Sequence, residues 1–166
     1  PAILLLIERG KIALDAPAHT YLPEFRSQGK DAITLRHLLT HTSGLRPGLS
    51  ATPAWSGYEK GIALACAEKP LNPPGAVFRY SDINFIVLGE IVRRVSGIGL
   101  DQFTAQEIYR PLKMMDTEFL PPPGKLPRIA PTEQVGGEML HGKVHDPTSR
   151  RMGGVAGHAG LFLTAS

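Results

Sequence analysis

Two short stretches of the sequence bring together side chains that can move a proton. In "SQGK", Ser27 and Lys30 have the S-x-x-K spacing that, on a helix, places a lysine amine one turn above a serine hydroxyl. In "YSDIN", Tyr80, Asp82 and Asn84 stand just ahead of an apolar-periodic segment. The first pair has the chemistry of an activated nucleophile, whereas Tyr80 is either a packing residue or a proton-transfer group.

The surroundings of "SQGK" favour a loop over a catalytic helix. Gly29 lies inside the tetrad, Pro23 comes shortly before it, and "DAIT" leads into the start of a new helix at Thr34. A helix would align the serine and the lysine for catalysis, and we expect that alignment only on a helix. We therefore interpret these four residues as a surface loop. The other common serine signature, G-x-S-x-G, is absent from the sequence.

Histidines are the next candidates for proton transfer or metal binding. His37 and His41 are four residues apart on a predicted helix, but no acidic residue completes an H-E-x-x-H pattern, so we expect hydrogen-bonding or helix-capping roles. In "HGKVHD", the side chains of His141, His145 and Asp146 could in principle ligate a metal. That stretch is a glycine-containing loop of no definite geometry, and no metal site is predicted there.

Two further residues are interpreted as structural. Cys66 is the sole cysteine and stands in the apolar run "GIALACAEK", which rules out a disulfide and a cysteine zinc site and predicts a buried thiol. His158 lies in "GGVAGHAGL", where the glycines permit close backbone packing, so we expect a buried hydrogen-bonding residue.

Hydrophobic periodicity predicts a mainly α-helical chain with long ordered loops. Apolar stripes and end signals place helices at about 2–9, from Thr34 to a stop at 43–44, at 57–69, from 82 to a stop at Gly97, and at 100–109. Either Ser81 or Asp82 serves as N-cap of the fourth helix. "KIALD" is predicted as one short strand, and the chain after "PLKMMDT" is loop-like.

Composition limits the kinds of partner. The 166 residues suit one domain or part of a larger one, and we treat 1–166 as a single partial domain. Its 18 basic and 15 acidic residues are scattered, so nucleic acid is not an expected partner. No apolar run approaches the ~18 residues of a membrane span. The chain starts inside a predicted helix and stops just after "LFL", so we expect both ends to be truncated and leave compartment and oligomeric state open.

Four blocks of the sequence, in this order and at these distances, resemble the serine beta-lactamase-like hydrolase family. The blocks are "ITLRHLLTHTSGL", "PPGAVFRYSDINFIVLGEIVRRVSG", "PLKMMDTEF" and "VHDPTSRRMGGVAGHAGLFLTAS". This family includes class C beta-lactamases, D-alanyl-D-alanine carboxypeptidases and family VIII carboxylesterases. The resemblance covers nearly the whole chain.

The resemblance implies three catalytic motifs, one of which is present. These are a nucleophilic serine in a helical S-x-x-K, a Y-x-N tyrosine, and a late strand with K-T-G or H-x-G. By the spacing in relatives, the S-x-x-K would lie just before Pro1 and the late strand after Ser166. "HAG" at 158–160 mimics H-x-G, but its context resembles the family's lead into a helix, so His158 is left out of catalysis.

Tyr80 matches the Y-x-N tyrosine, which in relatives helps to move the proton of the nucleophilic serine. A tyrosine pKa of about 10 must fall by ~3 units to reach neutrality, which takes about 4 kcal/mol of preferential phenolate stabilisation. Nearby cationic groups supply this stabilisation in the family. Asp82 replaces the commoner asparagine and is a candidate catalytic residue or simply a helix cap. Asn84 is a candidate substrate-binding residue.

The resemblance therefore implies the helical subdomain of an α+β beta-lactamase/transpeptidase-like fold. The expected reaction is acyl transfer to water through an acyl-serine, with no metal or organic cofactor, on a small ester, beta-lactam or peptide substrate. An esterase is the favoured activity, with beta-lactamase and D-alanyl-D-alanine carboxypeptidase as alternatives within the family. A non-catalytic binding domain or inactive truncated relative is the alternative outside it. An exported location is compatible with either, and this chain alone is expected to form no acyl-enzyme.

Overall fold

Helices dominate residues 1–164, the part of the chain that the computed structural model describes. The α-helices are α1 (Ala2–Glu8), α2 (Leu35–Leu39), α3 (Tyr58–Ala67), α4 (Asp82–Ser96), α5 (Leu100–Thr104) and α6 (Pro147–Arg151). A π-helical turn, Ala105–Tyr109, continues α5, and 3-10 turns occupy Ala18–Thr20, Pro23–Phe25 and Pro123–Arg128. The strands are β1 (Glu118–Phe119), β2 (Gln134–Val135), β3 (Glu138–Met139) and β4 (Leu161–Phe162). The mainly helical prediction is confirmed.

Helix α4 is the centre of the molecule, and it contacts α1, α2, α3 and α5. Its core-facing residues, among them Ile83, Ile86 and Ile91, are essentially fully buried. Ordinary helix signals define its ends, because Asp82 lies in the first turn and Gly97 adopts the left-handed conformation that stops a helix, with φ 79°. Tyr80 and Asp82, two of the predicted site residues, stand at the amino end of α4.

A buried carboxylate ties α4 to its neighbours. Glu90 is fully buried and accepts hydrogen bonds from Arg93, from Arg94 and from the Tyr58 hydroxyl of α3. Burial raises the pKa of Glu90, but these donors outweigh it and the net pKa is lowered. This cluster fixes α3 against α4. It lies in the middle of α4, whereas Tyr80 precedes the first residue of that helix.

The short strands do not form a continuous sheet. Strand β1 pairs antiparallel with β4, with Glu118 opposite Phe162, and β2 pairs antiparallel with β3 in a hairpin. The strand predicted for "KIALD" is wrong: the segment is a turn whose Ala13 amide donates to the Tyr21 hydroxyl at 2.8 Å. In residues 1–164, no helix is both long enough and apolar enough to cross a bilayer.

One helix boundary and one whole helix differ from the sequence prediction. Helix α2 ends at Leu39 rather than at 43–44, because His41 adopts a left-handed φ of 55° and turns the chain back toward α4. Helix α6 was missed altogether. Asp146 caps it by accepting the Ser149 amide at 2.6 Å, and Pro147 occupies the first helical position, where a missing N–H costs nothing.

The glycine-rich loop 153–160 lies directly on the backbone of α4. A β-carbon at Gly157 would overlap the carbonyl oxygen of Phe85 and approach the Gly89 amide to 3.1 Å. Only glycine therefore permits this approach. The contact brings His158 beside the amino end of α4. Residues 165–166, the end of the last resembling block, lie outside the described residues.

Candidate active site

Tyr80 occupies a turn that backbone hydrogen bonds hold in place. The Arg79 amide donates to the carbonyl of His41 at 2.8 Å, and the Ser81 hydroxyl donates to the carbonyl of Arg46 at 2.6 Å. Ser81 is fully buried, yet the Tyr80 side chain between these anchors remains open, with 58% of the residue exposed. A fixed turn with an exposed phenol at its apex is suited to meeting a substrate or another segment of protein.

Asp82 is the first residue of α4 and does not cap it. Its amide donates to the carbonyl of Pro47 at 2.7 Å, and the N-cap position belongs to Ser81, whose side chain makes no capping hydrogen bond. The interpretation of Asp82 as a helix cap is therefore wrong. Its carboxylate is left available beside Tyr80, and it also complements the positive end of the helix dipole.

Asp146 and His158 join Asp82 at this end of α4, a convergence that no spacing in the sequence predicts. One ligand-type atom from each of the three side chains lies within 4.8 Å of the others. His158 Nε2 lies 2.8 Å from Asp146 Oδ1, and the His158 side chain is only 3% exposed. The expectation of a buried, hydrogen-bonding His158 is confirmed. Loop 153–160 and the cap of α6 deliver the two side chains.

The proton position on His158 bears on whether these three residues suit a metal. Its Nδ1 is buried and has no hydrogen-bond partner among the described residues. An unpaired buried N–H is costly, so the proton belongs on Nε2, where it is donated to Asp146. A metal-ligating histidine normally donates its other N–H to an acceptor, and none stands at Nδ1. The arrangement fits an Asp–His hydrogen bond better than a cation site.

The local electrostatics keep Tyr80 protonated in this chain. The carboxylate of Asp82 is the main cause of a raised Tyr80 pKa, and partial burial and the charge of Asp146 add to it. Burial raises the pKa of Asp146, but the hydrogen bonds from His158 and the Ser149 amide outweigh it, and the net pKa is lowered. Tyr80 thus faces two anions, so any use as a base requires cationic groups close to its hydroxyl.

His41 contacts the Tyr80 ring, and Asn84 contacts His41 in turn. The His41 ring stacks under the Tyr80 ring, with centroids 4.6 Å apart and a tilt of 35°. Its Nδ1 accepts from the Ser81 amide at 3.1 Å and lies 3.2 Å from the Asn84 side-chain amide. Asn84 is fully buried and also accepts from the Ser43 hydroxyl at 2.6 Å. Asn84 thus has internal partners, and a direct contact with substrate stays a prediction.

The S-x-x-K at Ser27 is a loop, as predicted, although its lysine is not at the surface. Gln28 and Gly29 adopt left-handed φ values of 57° and 83°, which make a tight turn and exclude a helix. Lys30 is fully buried. Its ammonium donates to Ser27 Oγ at 3.3 Å and to the carbonyls of Cys66 at 2.9 Å and Glu68 at 2.7 Å.

These bonds remove Lys30 from proton-transfer chemistry. Burial lowers the pKa of Lys30, but each of its three N–H groups has an acceptor, so the ammonium form is the one this pocket holds. The Ser27 hydroxyl itself donates to the Cys66 carbonyl at 3.2 Å. The interpretation of this tetrad as non-catalytic therefore has a structural reason.

The remaining chemical candidates also have structural partners. His37 completes a capping box with Thr34 at the start of α2, as the capping prediction requires. Cys66 is a buried free thiol, and burial raises its pKa to about 11. The "HGKVHD" side chains do not form one cluster: His141 Nε2 lies 2.7 Å from the Ile129 carbonyl and His145 Nε2 lies 3.3 Å from Glu133, while Asp146 turns to His158.

A cleft of about 720 Å³ opens next to this site, between the β1–β4 pair and loop 129–146. Its walls include Asp146 together with the basic residues Lys125, Arg128 and Lys143. Tyr80 and Asp82 are not among its lining residues. Among the four residues Tyr80, Asp82, Asp146 and His158, the cleft is lined by Asp146 alone.

Comparisons with known proteins agree with this architecture. The family model described as "Beta-lactamase" matches residues 2–166. The N-acetylmuramyl-L-alanine amidase of Bacillus subtilis (strain 168) is 34% identical, over 99% of this chain and 44% of that protein. A protein of Escherichia coli (strain K12) named "Putative D-alanyl-D-alanine carboxypeptidase" is 31% identical, over 97% of this chain and 44% of its own length. The chain thus spans less than half the length of these relatives.

A solved structure extends the likeness to three dimensions. The class C beta-lactamase of Rhodobacter sphaeroides superposes with a TM-score of 0.76 at 23% identity, covering 99% of this chain and 44% of that one. At this identity the likeness shows the fold. With the family model spanning residues 2–166 and a relative 34% identical over nearly the whole chain, this protein belongs to the beta-lactamase family.

Proposed function

We propose that this chain is the tyrosine-bearing helical part of a serine hydrolase that works by acyl transfer through an acyl-serine. The observation that carries the proposal is the Tyr80 turn, in which an exposed phenol is held rigidly at the amino end of α4. In this proposal Tyr80 moves the proton of a nucleophilic serine, and Asp82 shapes the charge at the site. The serine and its lysine come from residues other than Ser27 and Lys30.

The surroundings of Tyr80 favour esters among the family's substrates. The carboxylates of Asp82 and Asp146 both stand near the phenol, and Asp82 has no ion-pair partner among the salt bridges of residues 1–164. A beta-lactam or a D-alanyl peptide carries a carboxylate and an acylamino carbonyl. An ionised aspartate repels the first and cannot donate to the second. A small uncharged ester needs neither contact.

A second candidate, a carboxypeptidase or amidase acting on peptidoglycan peptides, is favoured by the names of the two relatives. Each relative is about a third identical to this chain over nearly the whole length of this chain. For such a substrate, cationic groups outside residues 1–164 would have to offset the two carboxylates near Tyr80. The two candidates therefore differ in whether the site accepts a negatively charged substrate.

Asp82→Asn in the intact protein tests the choice of substrate. Asparagine restores a donor and removes a negative charge, and a polar contact of this kind is worth about 1–3 kcal/mol. We expect kcat/KM for a cephalosporin to rise about tenfold or more relative to a short-chain nitrophenyl ester, since 1.4 kcal/mol is a factor of ten. Asp31→Asn, which removes the same charge from an exposed site, is the control and should leave the ratio flat.

Two results would count against the ester proposal. One is a wild-type protein that hydrolyses a cephalosporin or a D-alanyl peptide faster than the ester. The other is a cephalosporin-to-ester ratio that stays unchanged in Asp82→Asn. Absence of a covalent adduct with a fluorophosphonate probe in the intact protein would contradict the acyl-serine mechanism itself and favour a non-catalytic binding domain.

A further inference from the structure

The ring of His41 stands where it can control the direction of the Tyr80 phenol. The centroids of the two rings are 4.6 Å apart, and His41 also contacts Phe85 of α4, with centroids 5.2 Å apart and a similar tilt. Phe78 adds an edge contact at 6.1 Å. Stacked and edge-on aromatic pairs at these distances are attractive by about 0.5–1.5 kcal/mol beyond their buried area. An exposed tyrosine thus has one side fixed on a ring that α4 supports.

The same histidine holds the backbone on both sides of Tyr80. The carbonyl of His41 accepts the Arg79 amide at 2.8 Å, and its Nδ1 accepts the Ser81 amide at 3.1 Å. The residues immediately before and after Tyr80 are therefore bound to one residue. Neither bond involves the phenol, so they constrain its position without sharing its proton.

The proton arrangement on His41 follows from its partners. Nδ1 faces two donors, the Ser81 amide and the Asn84 side-chain amide, so it must present a lone pair and the ring proton must lie on Nε2. Asn84 can donate in this direction because its oxygen is already taken by the Ser43 hydroxyl. The chain Ser43–Asn84–His41 thus fixes the ring orientation from the buried interior.

We propose that His41 is a positioning residue for Tyr80, which it aligns by ring stacking and by clamping the backbone at 79 and 81. This inference rests on the proposed function of Tyr80 and adds a residue to it. His41 makes no contact with the reacting atoms. Its removal should therefore lower the rate of the chemical step and leave substrate affinity nearly unchanged, because misdirecting a reacting group raises the barrier without removing a binding contact.

The test compares two His41 variants and a control in the intact protein. His41→Phe keeps a stacking ring but loses the Nδ1 acceptor, and His41→Gln can keep an acceptor but loses the ring. His19→Gln, in the 3-10 turn at 18–20, is the matched control. Two readouts are used: the NMR shifts of the ring-labelled tyrosines, with Tyr80 assigned by Tyr80→Phe, and kcat and KM for a short-chain nitrophenyl ester.

We expect the Tyr80 ring resonances to lose their ring-current shift in His41→Gln and to retain most of it in His41→Phe. For His41→Gln, kcat should fall about tenfold with KM within about twofold, and His41→Phe should recover part of kcat, since even small misplacement of a reacting group is costly. The His19→Gln control should match wild type in both readouts.

Different outcomes would contradict the positioning role of His41 and the proposed role of Tyr80. If Tyr80→Phe abolishes hydrolysis while His41→Gln retains full kcat, the positioning role is wrong and the role of Tyr80 stands. If the Tyr80 resonances are the same in wild type and His41→Gln, the stack does not exist in solution and the inference fails on geometry. If Tyr80→Phe retains full activity, the role of Tyr80 and the role of His41 both fall.

Discussion

The Ser27–Lys30 turn and the Tyr80–Asp82 turn both carry side chains that could transfer a proton. They differ in burial and in the groups that surround them. Lys30 is fully buried, and carbonyl and hydroxyl oxygens take all three of its N–H groups. Tyr80 is 58% exposed, and two carboxylates stand near it. One turn uses its ionisable group to hold the fold together, and the other leaves its group open at the surface. Motif spacing alone does not separate these two cases, because Lys30 does lie within hydrogen-bonding distance of Ser27.

The largest expected contrast is in catalysis. In the intact protein, Tyr80→Phe should lower kcat/KM for a short-chain nitrophenyl ester by about a thousandfold, within the range usual for a lost acid–base group. Ser27→Ala should change it by less than about twofold. Steady-state kinetics of both variants, with Tyr109→Phe as a control tyrosine, measures the contrast. A Ser27→Ala variant that lost activity, or a stoichiometric acyl adduct on Ser27, would reverse the assignment of the two turns.

The second contrast is in stability, where we expect the larger loss at the Ser27–Lys30 turn and the smaller loss at Tyr80. Lys30→Met retains the length of the side chain but leaves the carbonyls of Cys66 and Glu68 without their donor, so the free energy of unfolding should fall by about 2–3 kcal/mol. Tyr80→Phe should change it by less than about 0.5 kcal/mol because the side chain is exposed. Urea unfolding of both, with exposed Lys60→Met as control, is the measurement. Equal losses in the two variants would mean that Tyr80 too is a structural residue.

A third prediction concerns the loop that brings His158 to the tyrosine turn. Gly157→Ala forces a β-carbon against the Phe85 carbonyl, and overpacking of this kind costs about 1–3 kcal/mol. Gly124→Ala adds a β-carbon where nothing lies within 4 Å and should leave stability nearly unchanged. Because loop 153–160 must then lift from α4, the hydrogen bond between His158 and Asp146 should weaken, which the NMR signals of the His158 ring would report. His158 signals that Gly157→Ala left unchanged would show that the contact at Gly157 does not hold this ring beside Asp146.

The smallest expected effect is a pH dependence at His41. Burial lowers the pKa of His41, partly opposed by Asp82, so the folded state disfavours the protonated ring. The unfolded chain then binds more protons, and the stability that neutral His41 contributes is present above about pH 6.5 and is lost as pH falls through its lowered pKa. Asp82 is the charged group that acts on this ring, and the neutral phenol of Tyr80 stacks on it. Unfolding free energies at pH 5 and 7.5 should differ less in His41→Gln than in wild type; an equal or larger difference would contradict the assignment.

Local signals in the sequence were sufficient for several parts of the fold. The apolar stripe and Gly97 located α4 to within a residue, because the buried face of a long helix and a left-handed stop leave strong marks. The loop at Ser27 followed from Gly29, and the buried Cys66 followed from its apolar run. The end of α2, the turn at "KIALD" and helix α6 were wrong or missed, since elements of five residues have too little periodicity to compete with tertiary contacts.

The sequence by itself determined the central helix, the turn that precedes it and the four blocks that mark the beta-lactamase family. Only the tertiary structure decided what surrounds Tyr80. Asp146 and His158 come from the cap of α6 and from a glycine loop pressed on α4, more than sixty residues along the chain, and His41 comes from nearly forty residues before. A pKa, a stack and a hydrogen bond depend on distances of a few ångströms. Such distances between remote segments are set by packing, which no spacing in the sequence encodes.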